Sequence, residues 1–416
     1  MPIFTDFATN EDWDDAWLSL KILMQPWRWN DKNAILEVKK YILEYLKIKD
    51  SKIHLFFTGR FALYHLLKSL NLKEGSEILV PAFTCEAVVL PIIALGIKPV
   101  YVDIEKNTYS FDCNTLKSSI SKKTHALLIQ HTFGLRPLYQ DKIIEFAVKN
   151  GLVVIEDLAH GFFHYRMPDQ IKKVLKKKNI NYYLLLSFGR NKSVSSVFGG
   201  AIVSFNKKTD QKLEKILQTL PSLSYSMIIK LLFYKPIVFL IKKTYSFIIG
   251  KALHFFSNGL NLLIPEITKK EKHGLLDHSF NRQYPPTLAW LLKHQLEKSQ
   301  IINNRRKEAV NLYLKNLKSD ARNQVLNLYF NQPLIRFPIL VKNRNRILDF
   351  FAKKGIYLGK WYDQPVAPKE LPLVRVGYQH GSCPIAEQVC QQIINLPTNI
   401  TLTQAKKIVE LLKNEN

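Results

Sequence analysis

Residues 152–160 read LVVIEDLAH and residues 182–192 read YYLLLSFGRNK. Each is a short apolar run that ends in polar side chains: Asp157 with His160 one turn later in the first, Ser187 and then Lys192 in the second. Consecutive apolar residues over so short a length predict strands buried on both faces, the kind found in parallel sheets. Five more such runs surround them: HLFF (54–57), EILVP (77–81), PVYVDI (99–104), HALLIQH (125–131) and GAIVSF (200–205). Amphipathic stretches such as FALYHLLKSL (61–70) and DKIIEFAVKNG (141–151) lie between them. The alternation predicts an α/β domain whose mainly parallel, seven-stranded sheet is flanked by helices.

After Asn281 the pattern changes. A long helical stretch, TLAWLLKHQLEKSQIINNRRKEAVNLYLKNL, precedes strand-like LIRFPILV (334–341), helix-like RILDFFAKKG (346–355) and a terminal helix, TQAKKIVELLK (403–413). This predicts a smaller C-terminal α+β domain. The expected division is an N-terminal arm over 1–50, a large domain over 51–280 and a small domain over 281–416, with an apolar and basic insertion at 221–262. Trp27 and Trp29, in QPWRWN, are expected to pack the arm on the large domain.

Composition narrows the function classes. At 47% hydrophobic and 23% charged over 416 residues, the chain is neither disordered nor fibrous. Four scattered cysteines without a CxxC pair, and no histidine cluster at zinc spacing, imply neither a disulfide framework nor a metal site. Lys+Arg of 60 against Asp+Glu of 34 gives +26, which raises phosphate, phospholipid or nucleic acid as partners; a Lys-, Asn- and Ile-rich codon bias explains the excess equally well. The acidic start, MPIFTDFATNEDWDDAW, lacks the basic and apolar regions of a signal peptide, so a cytoplasmic location is expected. The basic runs KKVLKKK (172–178) and NNRRK (303–307) lack interleaved aromatics and are expected to be exposed helix faces or loops, with no nucleic acid bound.

In open α/β sheets, ligands bind beyond the carboxyl ends of the strands. The turn Thr58-Gly59-Arg60 leads from a strand into a helix, whose free N–H groups suit a phosphate. Asp157, a carboxylate at the end of a buried strand, needs a cation, backbone donors or a protonated ring nitrogen as partner; a helix cap is its plain structural role. Lys192, in a Ser- and Gly-rich loop just past a buried strand, is placed to be a desolvated, nucleophilic amine. A lysine for an imine, a carboxylate for a pyridinium and a helix N-terminus for a phosphate are the parts of a pyridoxal phosphate (PLP) site. His131 is either a satisfied core histidine or a substrate contact.

The ordered blocks TGRFAL, VPAFTCEAV, KPVYVDIEKNTYSFD, QHTFGL, VIEDLAH, SFGRNK, FNRQY with HQLEK, and GYQHGSCPIAEQ with LPTNITLTQ are similar to those of the DegT/DnrJ/EryC1/StrS family of sugar aminotransferases, PLP enzymes of fold type I. The resemblance covers about residues 50–205 and 278–415. It implies that Lys192 bonds the cofactor and Asp157 pairs with its ring nitrogen. His160 stands where the family has a glutamine near the ring hydroxyl. Gly59 and Arg60 form the phosphate turn, Ser187 adds a hydroxyl to it, and Asn281 reaches the neighbouring subunit's phosphate site in a homodimer. A lysine rather than the histidine of the family's dehydrating branch implies amino transfer, from glutamate to a nucleotide-linked keto-sugar, in polysaccharide or glycoconjugate biosynthesis.

Two departures stand out. Cys85 replaces the aromatic ring that stacks on the cofactor, leaving Phe83 or another ring for that role. Arg282, Gln283 and Pro285-Pro286 replace residues that contact nucleotide sugars in the family. The alternative function is a catalytically idle relative acting as a membrane-attached or nucleic-acid-binding module. Residues 221–262 carry no acid and five lysines, at 230, 235, 242, 243 and 251; too often interrupted to span a bilayer, they are expected either to lie in the interface of an inner membrane face, lysines on anionic lipid, or to pack on the dimer partner or over the active site.

Overall fold

A computed structural model describes residues 2–48, 51–176, 181–259, 262–317 and 326–415. The end of the 172–178 basic run and residues 260–261 of the insertion lie outside the described residues. The apolar runs form seven strands: β1 Lys52–Phe56, β2 Glu77–Pro81, β3 Lys98–Val102, β4 Thr124–Gln130, β5 Val153–Asp157, β6 Tyr182–Ser187 and β7 Gly200–Ser204. They join in one sheet in the order β1-β7-β6-β5-β4-β2-β3. β7 alone is antiparallel to both its neighbours, so the carboxyl ends of the other six share one edge.

Alternation along each strand divides its side chains between two cores. Ile155 and Leu185 join the core that extends into the C-terminal part. Val154 and Leu184 join a second core with Val38 and Ile42 of the arm and Leu231 and Val238 of the insertion. Burial on both faces is what the unbroken apolar runs required. Gly200 is fixed by a close approach: a Cβ there would lie 2.4 Å from the Gly59 backbone, which presses the start of β7 onto the turn after β1.

The arm consists of helices Trp13–Leu23 and Asn33–Leu46, and its strand Ile3–Phe4 pairs with Ile356–Tyr357. Trp29 is buried and donates to the Ile22 carbonyl at 2.8 Å. Trp27 differs from expectation: it is 73% exposed and packs nothing down. The single long helix expected after Asn281 is two, Pro286–Glu297 and Ser299–Asn316, parted at Lys298. An antiparallel pair, β8 Arg336–Leu340 with β9 Ile393–Pro397, completes the C-terminal part.

The insertion forms helices Tyr225–Thr244 and Ile248–Gly259. The first lies on helix Trp13–Leu23 and buries Ile228, Leu231, Leu232, Val238 and Ile241. Its lysines divide, which corrects the expectation that all five meet lipid. Lys235 is fully buried, ion-paired with Glu11 and with Asp15 at 3.5 Å, and donates to the Ser195 carbonyl at 3.2 Å. Lys242 turns inward to the Ala8 carbonyl at 3.0 Å. No helix among the described residues is long and apolar enough to cross a membrane.

Candidate active site

Five of the six strand ends at this edge bring Thr58, Cys85, Gln130, Asp157 and Ser187 to the wall of a cleft of about 830 Å³, open mouth included. Lys192 comes from the loop between β6 and β7, and Trp361 and Tyr362 reach in from the C-terminal part.

The lysine loop is closed on itself. Phe188 donates to the Gly199 carbonyl and Ser196 to that of Phe188, at 2.9 and 3.0 Å. It is also held from outside. Asn10 donates to the Lys192 carbonyl at 2.8 Å, and Arg306 donates to Ser193 at 3.0 Å and to Asn10 at 2.7 Å. Arg306 is buried, so the 303–307 run is not merely an exposed basic face. Asn10, Arg306 and Lys235 were not among the expected site residues. Each reads locally as a polar side chain without a partner, and only packing across 182, 113 and 40 positions, respectively, gives it a carbonyl of this loop.

Lys192 Nζ lies 3.2 Å from His160 Nε2. The other ring nitrogen, Nδ1, faces the Phe133 N–H at 3.3 Å and accepts from it. Burial, with the Lys192 and Arg336 charges, holds the imidazole well below its ordinary value, so it is neutral. With Nδ1 accepting from Phe133, the neutral ring carries its proton on Nε2, which can donate to the lysine nitrogen only when that nitrogen is uncharged and keeps its lone pair.

Asp157 is buried and accepts the Ala159 N–H at 2.9 Å. Burial raises its carboxyl above the usual range, against that hydrogen bond and the Lys192 charge. Among the described residues no cation lies within ion-pair distance of it. A buried carboxylate of this kind suits a protonated ring nitrogen.

Thr58 caps helix Gly59–Leu70 and accepts from the Phe61 N–H at 3.3 Å. A Cβ on Gly59 would meet Ser187 Cβ and Oγ at 3.2 Å; its absence leaves a cradle of backbone N–H and hydroxyl at the helix's positive end, which fits a phosphate. The Arg60 guanidinium is engaged elsewhere. It pairs with Glu271 and, at 3.9 Å, with Glu86, and donates to the Glu266 carbonyl at 2.6 Å. The buried Glu86, also unforeseen, is pushed up to about 7 by burial, with Arg60 opposing.

Asn281 stands apart from this cleft, its side-chain oxygen 2.7 Å from His65 Nε2. Gln283 donates to the Leu217 carbonyl, and Pro285-Pro286 start the next helix, so these departures serve the fold. Phe83 packs on Tyr109, Phe133 and Tyr362 and does not line the cleft. Cys85 does, its thiol pushed up to about 12 by burial. His131 is satisfied, 3.0 Å from Glu156 and 3.1 Å from His164, while also lining the cleft.

Comparison with known proteins places this geometry. The profile of the DegT/DnrJ/EryC1/StrS aminotransferase family matches residues 44–223 and 266–413. The unmatched interval, 224–265, is almost wholly the insertion. GDP-perosamine synthase of Escherichia coli O157:H7 is 24% identical over 358 residues, 84% of this chain and 81% of that protein. The dTDP-4-amino-4,6-dideoxy-D-glucose transaminase of Shigella dysenteriae is 29% identical over 43% of this chain and 46% of its own. Among solved structures, a Helicobacter pylori aminotransferase involved in pseudoaminic acid biosynthesis superposes with TM-score 0.69 at 17% identity, covering 97% of both chains. Bacillus subtilis NtdA, with its cofactor PMP bound, gives TM-score 0.69 at 19% identity over 97% of this chain and 82% of that one. With both halves of the profile matched and the cleft built as described, the chain belongs to the DegT/DnrJ/EryC1/StrS aminotransferase family and is a PLP-dependent aminotransferase of fold type I.

Proposed function

We propose that the chain moves an amino group from glutamate to the keto carbon of a nucleotide-linked sugar, in the making of a surface polysaccharide or glycoconjugate. The observation that carries this is the convergence of Lys192, Asp157 and the Gly59–Ser187 cradle on one cleft. The relatives named for GDP- and dTDP-linked sugars support the acceptor class. PLP, when bound, supplies a carbonyl for the imine and a ring that withdraws electrons. Asp157 holds a proton on the ring nitrogen. Lys192 would hold PLP through its Nζ and, as a free amine, is placed to take and return a proton at the substrate carbon. His160, 3.2 Å from Lys192 Nζ, would orient the uncharged lysine nitrogen through its Nε2–H. The backbone of Gly59 and Arg60, with Ser187, binds the phosphate.

In this reading the arm is 1–50, the large domain 51–280 and the small domain 281–416. Asn281, outside its own cleft, supports a homodimer in which it completes the partner's phosphate site. The enzyme works in the cytoplasm, peripheral to the inner face of a membrane through residues 221–262. The test is incubation of purified enzyme with glutamate and a panel of nucleotide keto-sugars. An amino-sugar product with 2-oxoglutarate released is expected; a protein that neither binds PLP nor consumes glutamate would instead be the idle relative.

A further inference from the structure

The outward face of the insertion is apolar where a surface helix should be polar. Ile229, Phe233 and Leu240 are four and seven residues apart, on one line along helix Tyr225–Thr244, and each is exposed. Phe247, in the turn past the helix end, and Phe255 and Phe256 on the second helix are each more than 60% exposed. A helix apolar all round is expected inside a protein or against lipid. Its inward half is accounted for by the arm.

The arm adds to the same face. Trp13 packs against Phe239 at 5.7 Å and stacks on Trp17 at 6.2 Å, and both tryptophans remain more than half exposed. Lys21 follows one turn on and is exposed. Lys243 and Lys251 are exposed on the insertion, Lys243 reaching over the Phe239 ring at 5.6 Å. The exposed acids nearby are already paired: Asp12 with Arg305 at 3.6 Å, Asp14 with His294 at 2.6 Å and Lys298 at 3.0 Å. The face is therefore apolar with uncompensated positive charge.

We propose that arm and insertion together form one lipid-binding face, with Trp13, Trp17, Phe233, Leu240 and Phe247 entering the interface of an anionic bilayer and Lys21, Lys243 and Lys251 meeting its headgroups. This rests on the membrane reading above and adds the arm tryptophans, separates the lipid-facing lysines from the structural Lys235 and Lys242, and names the lipid charge. A second copy is the poorer occupant. The lysines of one copy would meet no free acid on the same face of another: none lies between Glu214 and Glu266, and Asp12 and Asp14 of the arm are already paired.

The test uses purified PLP-loaded protein and vesicles of phosphatidylcholine with phosphatidylglycerol, against phosphatidylcholine alone. Wild type floats with the anionic vesicles, and its tryptophan emission shifts to the blue. Combining Phe233→Ser, Leu240→Ser and Phe247→Ser lowers the bound fraction at least about tenfold, with PLP absorbance and melting temperature showing that the fold is kept. Lys243→Glu with Lys251→Glu removes the preference for anionic vesicles. The proposal is overturned if wild type neither floats nor shifts its emission, or if the triple variant binds vesicles unchanged but loses a subunit contact. Glutamate consumption without vesicles reads the activity separately, so the two can fail independently.

Discussion

Lys235→Met is the most informative single change. Lys235 and its partners Glu11 and Asp15 are essentially inaccessible to solvent, so removing the ammonium leaves a carboxylate buried without its main counter-charge. Breaking such a pair costs about 3–5 kcal/mol. At about 2.1 cal/mol/K of unfolding entropy per residue, this length of chain loses roughly 3–6 °C of melting temperature. Lys235 also holds the Ser195 carbonyl of the lysine loop, so PLP affinity falls with it. Adding Glu11→Gln removes the stranded charge, because burial already raises the Glu11 carboxyl and Lys235 is the main influence that lowers it; the double variant recovers more than half of the lost stability. The assay is thermal melting of the four proteins of the cycle with and without PLP. A Lys235→Met protein within about 1 °C of wild type, or a double variant no better than the single, would refute the clamp.

Two further outcomes follow from the geometry. Gly200→Ala drives a methyl into the Gly59 backbone, so the phosphate turn shifts and PLP affinity drops at least about tenfold, by equilibrium dialysis, with the sheet's circular dichroism preserved. Asp15 feels burial raising its carboxyl, but Lys235 and Lys298 outweigh this and hold it at about 2, against 3.8 unfolded. Its stabilisation is complete above pH 4 and is lost as pH falls from about 4 to about 2, where Asp15→Asn removes that part of the acid transition in a fluorescence titration.

The sheet was legible because its strands are buried on both faces, so each appears in the sequence as an uninterrupted apolar run. Asp157, Ser187 and Lys192 were legible because they stand directly beyond those runs, where such sheets bind ligands. What supports them was not. Arg306 and Asn10 look like surface residues from their neighbours and Lys235 looks like an interruption of an apolar run; their burial comes from contacts between the arm, the insertion, helix Ser299–Asn316 and the lysine loop. Trp27 failed in the opposite sense, because an aromatic in a short polar turn is buried only if another element covers it, and none does. Strand Ile393–Pro397 exists by pairing with Arg336–Leu340, across a separation that no local pattern records.

The most direct test of the central claim is chemical: reduce the PLP-loaded protein with borohydride, digest it and map the modification by mass spectrometry. A phosphopyridoxyl group is expected on Lys192, the one lysine in the cleft beside Asp157 and His160 among the described residues. A stable label on any other lysine, or none on a protein that still consumes glutamate, would contradict it.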